Sequence, residues 1–537
     1  MLVFCDVSIR QARIVDDAAM LPSPSRQTEP PDTTRPILDP GSPGMALVAL
    51  ISLVALVAGT FVLQQMKAAP APPPVSMPGG ASAATAQAVP DGIDDPFVIS
   101  SKLVVKVGRS LSQAGGSPSP TSPLSAQALN AAKDAAERFR AVVVVGELDG
   151  PARAVDQLIR LRTFLDTPTQ TSIDDSRLAR PTDQERDELH KDIDLAQSLY
   201  ERGAGALSNA DADRLRVRHG WFGKLLFSTG LPDTDPAREP LIKNGIQLMV
   251  LLLGVLVLGV LIVIGGFVAF TIAVVRVITK GLPRRFTPPA PGGSVYIETA
   301  ALFFAGFLVL KFVIGAVSSA ANLDSARTLQ FALGAQWLIL PVIFWPIARG
   351  VPAKAHFQML GLHRGEGVVR EVLAGLFGYL AGLPVLLFAM LVTAALIIIR
   401  GSVSGGGPGG SGGGGTPIAP PENPVLDVVS KGGLTVAMLY ALATLWAPIV
   451  EESVFRGALF RYMRSYVPLG VAAILSTLAF GFAHGYEWLA LGPVFALGFN
   501  FAIMREWRGS LIGPVVAHAL HNGTVLAIVI TLLSLLK

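Results

Sequence analysis

Long apolar runs separated by short polar segments dominate the second half of the chain. An α-helix needs about 20 mostly apolar residues to cross the hydrocarbon core of a bilayer. Several runs reach or approach that length, one early in the chain and the others after residue 245. They lie at residues 45–63, 246–275, 299–317, 329–347, 372–399, 434 to about 460, 469 to about 484, 489–504 and 511–536. The pattern predicts an all-α, polytopic transmembrane helical bundle with about nine spans.

Only residues 96–240 form a long stretch that is compatible with water. Apolar residues recur there at three- and four-residue spacing, which is typical of amphipathic helices. The turn Asp149-Gly150-Pro151 separates two such patterns and predicts a helical hairpin. Ser208 is a candidate N-cap for a later helix. Helices are expected at residues 128–145, 152–165, 192–200 and 211–227. We therefore expect a soluble helical domain inserted between membrane spans.

Polar and low-complexity segments mark the remaining boundaries. Residues 1–44 are polar and Pro-rich, so we expect a disordered tail, and the apolar run that follows is interpreted as an uncleaved signal anchor. Residues 64–95 are rich in Pro and Ala and residues 401–430 are rich in Gly, which predicts two linkers. Residues 246–400 are assigned to transmembrane helices, and residues 431–537 to a C-terminal transmembrane module.

The composition agrees with a membrane protein. Hydrophobic residues make up 51% and charged residues 15% of the 537 residues, which is too apolar for a soluble globular protein of this length. The single cysteine, Cys5, excludes an intramolecular disulfide framework and a zinc-thiolate cluster. The formal net charge of +4 is small, and no nucleic-acid partner is predicted. The expected surroundings are the lipid bilayer.

The distribution of Lys and Arg predicts the orientation, because positively charged loops favour the cytoplasmic side. In one set of alternate loops, only Arg327, Arg400 and Lys431 are positively charged. The opposite set carries Arg276, Lys280, Arg284, Arg285, Arg349, Lys354, Arg364, Arg370, Arg456, Arg461, Arg464, Arg505 and Arg508. We therefore expect a multi-pass protein of the cell membrane whose N-terminus is cytoplasmic and whose residues 66–240 and C-terminus are extracytoplasmic. Lys311 lies within a span and fits neither set, so it either faces the bundle interior or snorkels to the interface.

Two adjacent carboxylates, Glu451 and Glu452, follow the apolar run at residues 434–450. A charged side chain at such a depth costs about 2.5 kcal/mol or more, so it indicates a functional site by default. Glu452 and Arg456 are one helical turn apart and are expected to form an ion pair. Glu451 is then left to act with other polar residues at the same depth.

His484, His518 and Asn522 are the residues expected at that depth. At about 1.5 Å per residue from the cytoplasmic ends of their spans, Glu451 lies about 20 Å deep, His484 about 24 Å, His518 about 15 Å and Asn522 about 21 Å. His518 and Asn522 also share one helix face. Three helices thus present polar groups to one buried locus. A buried glutamate suits water activation, and a histidine with an amide suits an oxyanion, so the set is complete for amide hydrolysis.

Three motifs follow one another in this region. They are Glu451-Glu452-Ser-Val-Phe-Arg456 (EExxxR), Phe480-Gly-Phe-Ala-His484 (FxxxH) and His518-Ala-Leu-His-Asn522 (HxxxN). In this order and spacing, the region resembles the CPBP family of intramembrane proteases (CAAX protease and bacteriocin-processing, or Abi), which is related to the type II CAAX prenyl endopeptidase. The resemblance covers residues 431–537, with the preceding spans expected to belong to the same module.

The resemblance implies a role for each motif residue. Glu451 would be the base that activates water, and Glu452 would fix the helix and the base. His484 would position the water, while His518 with Asn522 would stabilise the oxyanion. The implied catalytic set is Glu451, Glu452, His484, His518 and Asn522, with Arg456 and Phe480 as structural support.

The resemblance leaves metal dependence open, because this family has also been described as metalloproteases. Glu451, His484 and His518 offer the N and O donors that zinc accepts. The HExxH motif of many zinc proteases is missing from the sequence. We therefore favour a glutamate mechanism that requires no cofactor, with zinc as the alternative.

Other classes of function fit the same residues. The polar set could be a buried network without turnover, in a membrane scaffold or an immunity protein. Intramembrane Glu and His also serve proton-coupled transporters, but the sequence shows no matching halves of the kind that inverted repeats produce. A third alternative is a sensor whose outer domain binds a ligand. For the protease, the expected substrate is a membrane protein or peptide, and its prenylation is left open.

Overall fold

The structure is a computed structural model that describes residues 38–67, 95–114, 122–167, 178–401, 428–429 and 431–537. Most of the predicted tail and of both predicted linkers lies outside these residues. The first half of the described chain contains α1 (Pro43–Lys67), α2 (Pro96–Gln113), α3 (Pro123–Ala131), α4 (Ala135–Leu148), α5 (Pro151–Asp166), α6 (Asp183–Arg202), α7 (Asn209–His219), α8 (Trp221–Ser228) and α9 (Glu239–Ile242).

Further helices follow in the second half of the described chain. They are α10 (Gly245–Ile278), α11 (Val295–Ala320), α12 (Ser325–Ala335), α13 (Trp345–Ala348), α14 (Ala353–Leu360), α15 (Val368–Gly401), α16 (Gly433–Arg464), α17 (Leu469–Ala483), α18 (Gly492–Arg508) and α19 (Ile512–Leu536). Short 3₁₀ segments, Gln336–Phe344 and Trp488–Leu491, connect α12 to α13 and precede α18. The described residues contain two isolated β-bridges and no β-strand.

Within the described residues, eight helical stretches are long and apolar enough to cross a membrane. They are Pro43–Val62, Glu239–Ile278, Val295–Ala320, Ser325–Ala348, Val368–Arg400, Gly433–Arg464, Trp488–Arg508 and Ile512–Leu536. The predicted span at residues 469–484 is the shorter apolar helix α17, which has 15 residues. At about 1.5 Å per residue, this helix does not cover the full hydrocarbon thickness of about 30 Å. The all-α, multi-pass fold is confirmed.

The helical domain at residues 96–240 has its own core, to which α2 to α9 all contribute. As the sequence predicts, α4 and α5 pack against each other on either side of Gly150, whose φ of +96° favours glycine. The helix expected at residues 128–145 is interrupted, because Asp134 caps a new helix by accepting a hydrogen bond from the backbone N–H of Glu137. Ser208 caps α7, as expected from the sequence.

Residues 38–42, which the sequence places in a disordered tail, are packed against the membrane bundle. The buried carboxylate of Asp39 accepts hydrogen bonds from the Arg461 guanidinium at 2.7–3.2 Å. The carbonyl of Pro40 accepts from the backbone N–H groups of Ser294 and Val295. The polar composition of this segment predicts exposure, but a buried arginine at the end of α16 supplies the partner that makes burial of Asp39 acceptable.

The core of the membrane bundle surrounds α16. Residues of α16 pack against α11, α17 and α19. The ring of Phe455 lies edge-on to Phe303 of α11 at 5.6 Å and to Phe480 of α17 at 5.2 Å. Trp446 and Val450 are buried in the same cluster. These contacts fix α16 in position, and α16 carries both adjacent glutamates.

Candidate active site

The hydrogen-bonding pattern of α16 changes around the two glutamates. The π-helical segments Leu442–Trp446 and Glu452–Leu459 lie on either side of the α-helical stretch Ala447–Glu451. Pro448 has no N–H to donate to an α-helical ladder, which favours a local change of pattern. A π-helical turn holds an extra residue and is frequent at functional sites. Glu451 and Glu452 therefore face different neighbours.

Glu452 belongs to a chain of buried charged groups. Its Oε1 accepts a hydrogen bond from Nη1 of Arg456 at 3.0 Å, and both side chains are fully buried. Nδ1 of His518 lies 2.9 Å from the same oxygen. Nε2 of His518 lies 3.9 Å from Oε2 of Glu451. The chain of contacts thus runs from the arginine through Glu452 and His518 to Glu451.

Arg456 is held by groups outside the motifs. Its guanidinium lies 4.1 Å from the ring centre of Phe480 and 5.3 Å from that of Phe501, within the range of cation–π attraction. Its Nη2 donates to the carbonyl of Gly498 at 3.0 Å. The ring of Phe501 also stacks on His518 at 5.3 Å. Phe480, which the sequence singles out, thus contacts Arg456, and so do Phe501 and Gly498, which it does not.

No signal in the sequence singles out Phe501 or Gly498. Both lie on α18, where an apolar residue every three or four positions is ordinary for a membrane helix. A side chain at Gly498 would place its Cβ 3.0 Å from Arg456 Nη2, Phe480 Cδ1 and Thr477 Cγ2. A Cβ here would crowd these three side chains, so the packing favours glycine at this position.

A cavity of about 210 Å³ lies beside Glu451. Its wall combines aromatic and apolar side chains with a few polar groups, and both Glu451 and His484 face it. The lining residues are Thr60, Phe303, Phe304, Phe307, Leu308, Lys311, Gln336, Glu451, Phe455, Ala483 and His484. Oε2 of Glu451 is buried and has no hydrogen-bond partner within the described residues. A carboxylate oxygen in that state is available to a substrate or a water molecule.

His484 follows the last residue of α17. Its Nδ1 lies 2.8 Å from the carbonyl oxygen of Phe480, which can only accept, so Nδ1 carries the proton. In the neutral ring, Nε2 therefore keeps a lone pair. The ring also lies edge-on to Phe480, with ring centres 4.6 Å apart. Phe480 thus fixes both the tautomer and the orientation of His484.

Asn522 and His521 contact other helices. Nδ2 of Asn522 donates to the carbonyl of Ala443 at 2.9 Å, in the first π-helical segment of α16. Nδ1 of His521 lies 3.1 Å from the hydroxyl of Tyr379 on α15. The sequence predicts that Asn522 faces the same locus as Glu451. In the structure, its amide fastens α19 to α16 one turn or more before the glutamates.

The proposed zinc ligands do not form a ligand set in this structure. Within the described residues, no group of three or more His, Cys, Asp and Glu side chains is placed to hold a metal ion. We therefore derive no catalytic step that passes through zinc.

Comparison with known proteins agrees with this site. Residues 433–524 match the sequence model of a family described as type II CAAX prenyl endopeptidase Rce1-like. Neither curated proteins nor solved structures gave a match. The matched segment includes all three motifs and is about one sixth of the chain. It confirms the resemblance to CAAX proteases, and with the multi-pass fold it supports an intramembrane protease of the CAAX type in general.

Proposed function

We propose that the chain is an intramembrane endopeptidase that hydrolyses peptide bonds of membrane proteins or membrane-associated peptides with a water activated by Glu451. One observation carries the proposal. The side chain of Glu451 lines a cavity together with His484, and its Oε2 is buried without a hydrogen-bond partner within the described residues. Nε2 of His518 lies 3.9 Å from the same oxygen. A positioned base with a free oxygen is what general-base catalysis requires.

In the proposed reaction, the substrate carbonyl enters the cavity and Glu451 takes a proton from the attacking water. The new C–O bond gives a tetrahedral intermediate, whose collapse breaks the C–N bond and releases the amine. The amine takes from Glu451 the proton that Glu451 removed from the water. Glu452 holds His518 against Glu451, and Arg456 balances the charge of Glu452. A scaffold without turnover would not require the Glu451 side chain to line a cavity.

The oxyanion role stays a proposal for His518 and Asn522. The contacts of His518 support positioning of Glu451 more directly, because its two ring nitrogens face the two glutamates. The hydrogen bond of Asn522 to Ala443 supports a role in holding α16 in its π-helical form. Both residues then act on the reaction through the placement of Glu451.

Reconstituted full-length protein tests the proposal. The protein in liposomes is incubated with a membrane-protein extract, and new peptide termini are identified by mass spectrometry. Glu451→Gln is expected to lower the cleavage rate by about 10²- to 10⁴-fold. The matched control Glu201→Gln changes an exposed carboxylate of the outer domain and is expected to leave the rate unchanged. Equal cleavage by the wild type and Glu451→Gln would overturn the proposal.

The same assay separates the glutamate mechanism from a zinc mechanism. Under the glutamate mechanism, EDTA or phenanthroline leaves the rate unchanged. Loss of activity on chelation, followed by recovery on addition of zinc, would contradict the mechanism while preserving the protease function.

The proposed location is the cell membrane, with the N-terminus in the cytoplasm and residues 66–240 outside the cell. In a Cys5→Ser background, a membrane-impermeant maleimide should label Glu201→Cys in intact cells. Arg364→Cys, in the exposed segment before α15, should be labelled only after permeabilisation. The reverse pattern would contradict this orientation.

A further inference from the structure

Most of the cavity wall comes from outside the segment that matches the protease family. Thr60 belongs to α1, Lys311 to α11 and Gln336 to the 3₁₀ segment after α12. Phe303, Phe304, Phe307 and Leu308 of α11 supply its apolar surface. The matched segment at residues 433–524 supplies the reacting groups. The cavity wall that faces these groups therefore comes largely from helices in a different part of the chain.

Lys311 is the cationic residue of this cavity wall. It lies within the span Val295–Ala320, about 24 Å along the axis from Val295 at 1.5 Å per residue. A lysine at such depth is costly and marks a substrate or ion pathway by default. Glu451 and Lys311 thus place charges of opposite sign on the wall of one cavity. A substrate group with negative charge is attracted to Lys311 and repelled by Glu451.

We propose that Lys311 is a specificity-determining residue, which selects peptides that carry a carboxylate close to an apolar residue at the cleaved bond. This inference rests on the proposed function. The carboxylate is either the C-terminal group of the substrate or an Asp or Glu side chain, since both offer the same two oxygens. A charge-assisted hydrogen bond from the Lys311 ammonium binds this group. The aromatic and leucine side chains of α11 take the neighbouring apolar residue.

Binding at Lys311 sets the register of the substrate. A carboxylate fixed at one part of the wall determines which carbonyl reaches Glu451, because the cavity of about 210 Å³ admits only a few side chains. Proximity of this kind raises the rate as well as the affinity. A snorkelling lysine would act differently, since it serves the interface and makes no distinction between substrates.

Three pools of synthetic apolar peptides test the inference, each with randomised Leu, Phe, Val and Ala. The first pool ends in a free carboxylate and the second in a carboxamide. The third ends in a carboxamide and contains one Glu within the apolar sequence. Each pool is incorporated into phosphatidylcholine liposomes with the full-length protein, and cleavage is measured by mass spectrometry. The first or the third pool should be cleaved at least about 30-fold faster than the second, and whichever it is identifies the source of the carboxylate.

Variants at Lys311 then assign the selectivity. Lys311→Met should lower cleavage of the preferred pool to the rate of the amidated pool, and Lys311→Arg should retain the preference. Lys311→Glu should invert it toward a pool with Lys in place of Glu, which a purely structural role would not produce. The control Lys354→Met removes an exposed charge from α14 and should leave the preference unchanged.

The outcomes separate the two proposals. If the wild type cleaves neither the pools nor a membrane extract faster than Glu451→Gln does, the proposed function fails and the inference fails with it. If the wild type cleaves the extract but shows no preference among the pools, only the inference fails. The same holds if Lys311→Met keeps the wild-type preference. If Lys311→Met does not fold, the inference is still tested by the preference of the wild type and by the inverted preference expected for Lys311→Glu.

Discussion

The buried side chains of Glu452, Arg456 and His518 form one electrostatic unit. Each charge is acceptable in the bundle because the next group neutralises or hydrogen-bonds it. A second guanidinium nitrogen of Arg456 is satisfied by the Gly498 carbonyl. The unit therefore contributes to stability only as a complete set, and it orients the imidazole that approaches Glu451.

Arg456→Met tests this dependence. The change leaves the Glu452 carboxylate buried without its cation, so we expect the free energy of unfolding to fall by about 3–5 kcal/mol. Thermal unfolding of the detergent-solubilised protein measures the loss. Arg327→Met, which breaks an exposed pair with Asp324, should change it by no more than about 0.5 kcal/mol. Equal melting temperatures for the two variants would show that Arg456 is not needed for charge balance.

Gly498→Ala tests the close packing around the guanidinium. The added Cβ would lie 3.0 Å from Arg456, Phe480 and Thr477, and the helix backbone gives it no room to withdraw. Overpacking of this kind costs about 1–3 kcal/mol, and displacement of Arg456 should lower peptidase activity as well. Gly315→Ala on α11, where nothing lies within 4 Å of the new Cβ, is the matched control. Wild-type stability and activity in Gly498→Ala would contradict the assignment.

Local spacing explains which site residues could be predicted. The pair Glu452 and Arg456 lies on one helical turn, so sequence distance alone predicts their contact. Phe501 and Lys311 reach the site from helices that are far away along the chain, and their neighbours depend on how the helices pack. The partner of Asn522, a backbone carbonyl in a π-helical segment, has no sequence signal at all.

At the scale of elements, the segment before α1 is held by hydrogen bonds to two helices of the membrane bundle. Asp39 is tied to Arg461 of α16, while the Pro40 carbonyl binds the start of α11. Because α1 also contributes Thr60 to the cavity, this tie places a wall of the site. The rings of Phe61 and Phe482, 4.9 Å apart, hold the other end of α1 against α17. The sequence predicts that α1 is a membrane anchor, and in the structure this helix also lines the cavity beside Glu451.

Gly293→Ala tests the importance of this tie. A Cβ at this position would lie 2.2 Å from the carbonyl oxygen of Asp39, so the segment must shift. We expect a loss of about 1–3 kcal/mol in stability, together with lower peptidase activity because α1 moves. Gly44→Ala, whose Cβ meets nothing within 4 Å, is the control in the same region. An unchanged melting temperature and rate would show that the tie is dispensable.

The boundaries of elements were predicted less well than their existence. Apolar length identifies a span, but it does not show that residues 38–42 find a buried arginine or that Asp134 starts a new helix inside a continuous apolar pattern. The short helix α17 was expected to cross the membrane because its apolar run continues to His484. These features depend on contacts with particular residues, which the polarity and periodicity of the sequence do not predict.

At the scale of the whole molecule, the helical domain at residues 96–240 contacts the last membrane helix. Nζ of Lys106, on α2, donates to the carbonyl of Leu535 at 3.2 Å, and the side-chain amide of Asn244 donates to the same oxygen. The last helix, α19, also carries His518 and Asn522. This domain is thus joined to the helix whose His518 lies beside Glu451.

This contact gives the protein a pH-dependent stability. Burial, with Lys102 and Lys243 nearby, lowers the pKa of Lys106 to about 8 from its ordinary value of 10.5. Between these two values the unfolded chain binds more protons than the folded one, so stability must rise with pH across that window and stay level below it. In Lys106→Met this contribution disappears.

The difference in melting temperature between the wild type and Lys106→Met should therefore change between pH 7 and pH 10, in favour of the wild type as the pH rises. Lys191→Met, on the exposed surface of α6, should follow the wild type throughout. Parallel curves for the wild type and Lys106→Met would show that proton binding by Lys106 does not contribute to the pH dependence of stability.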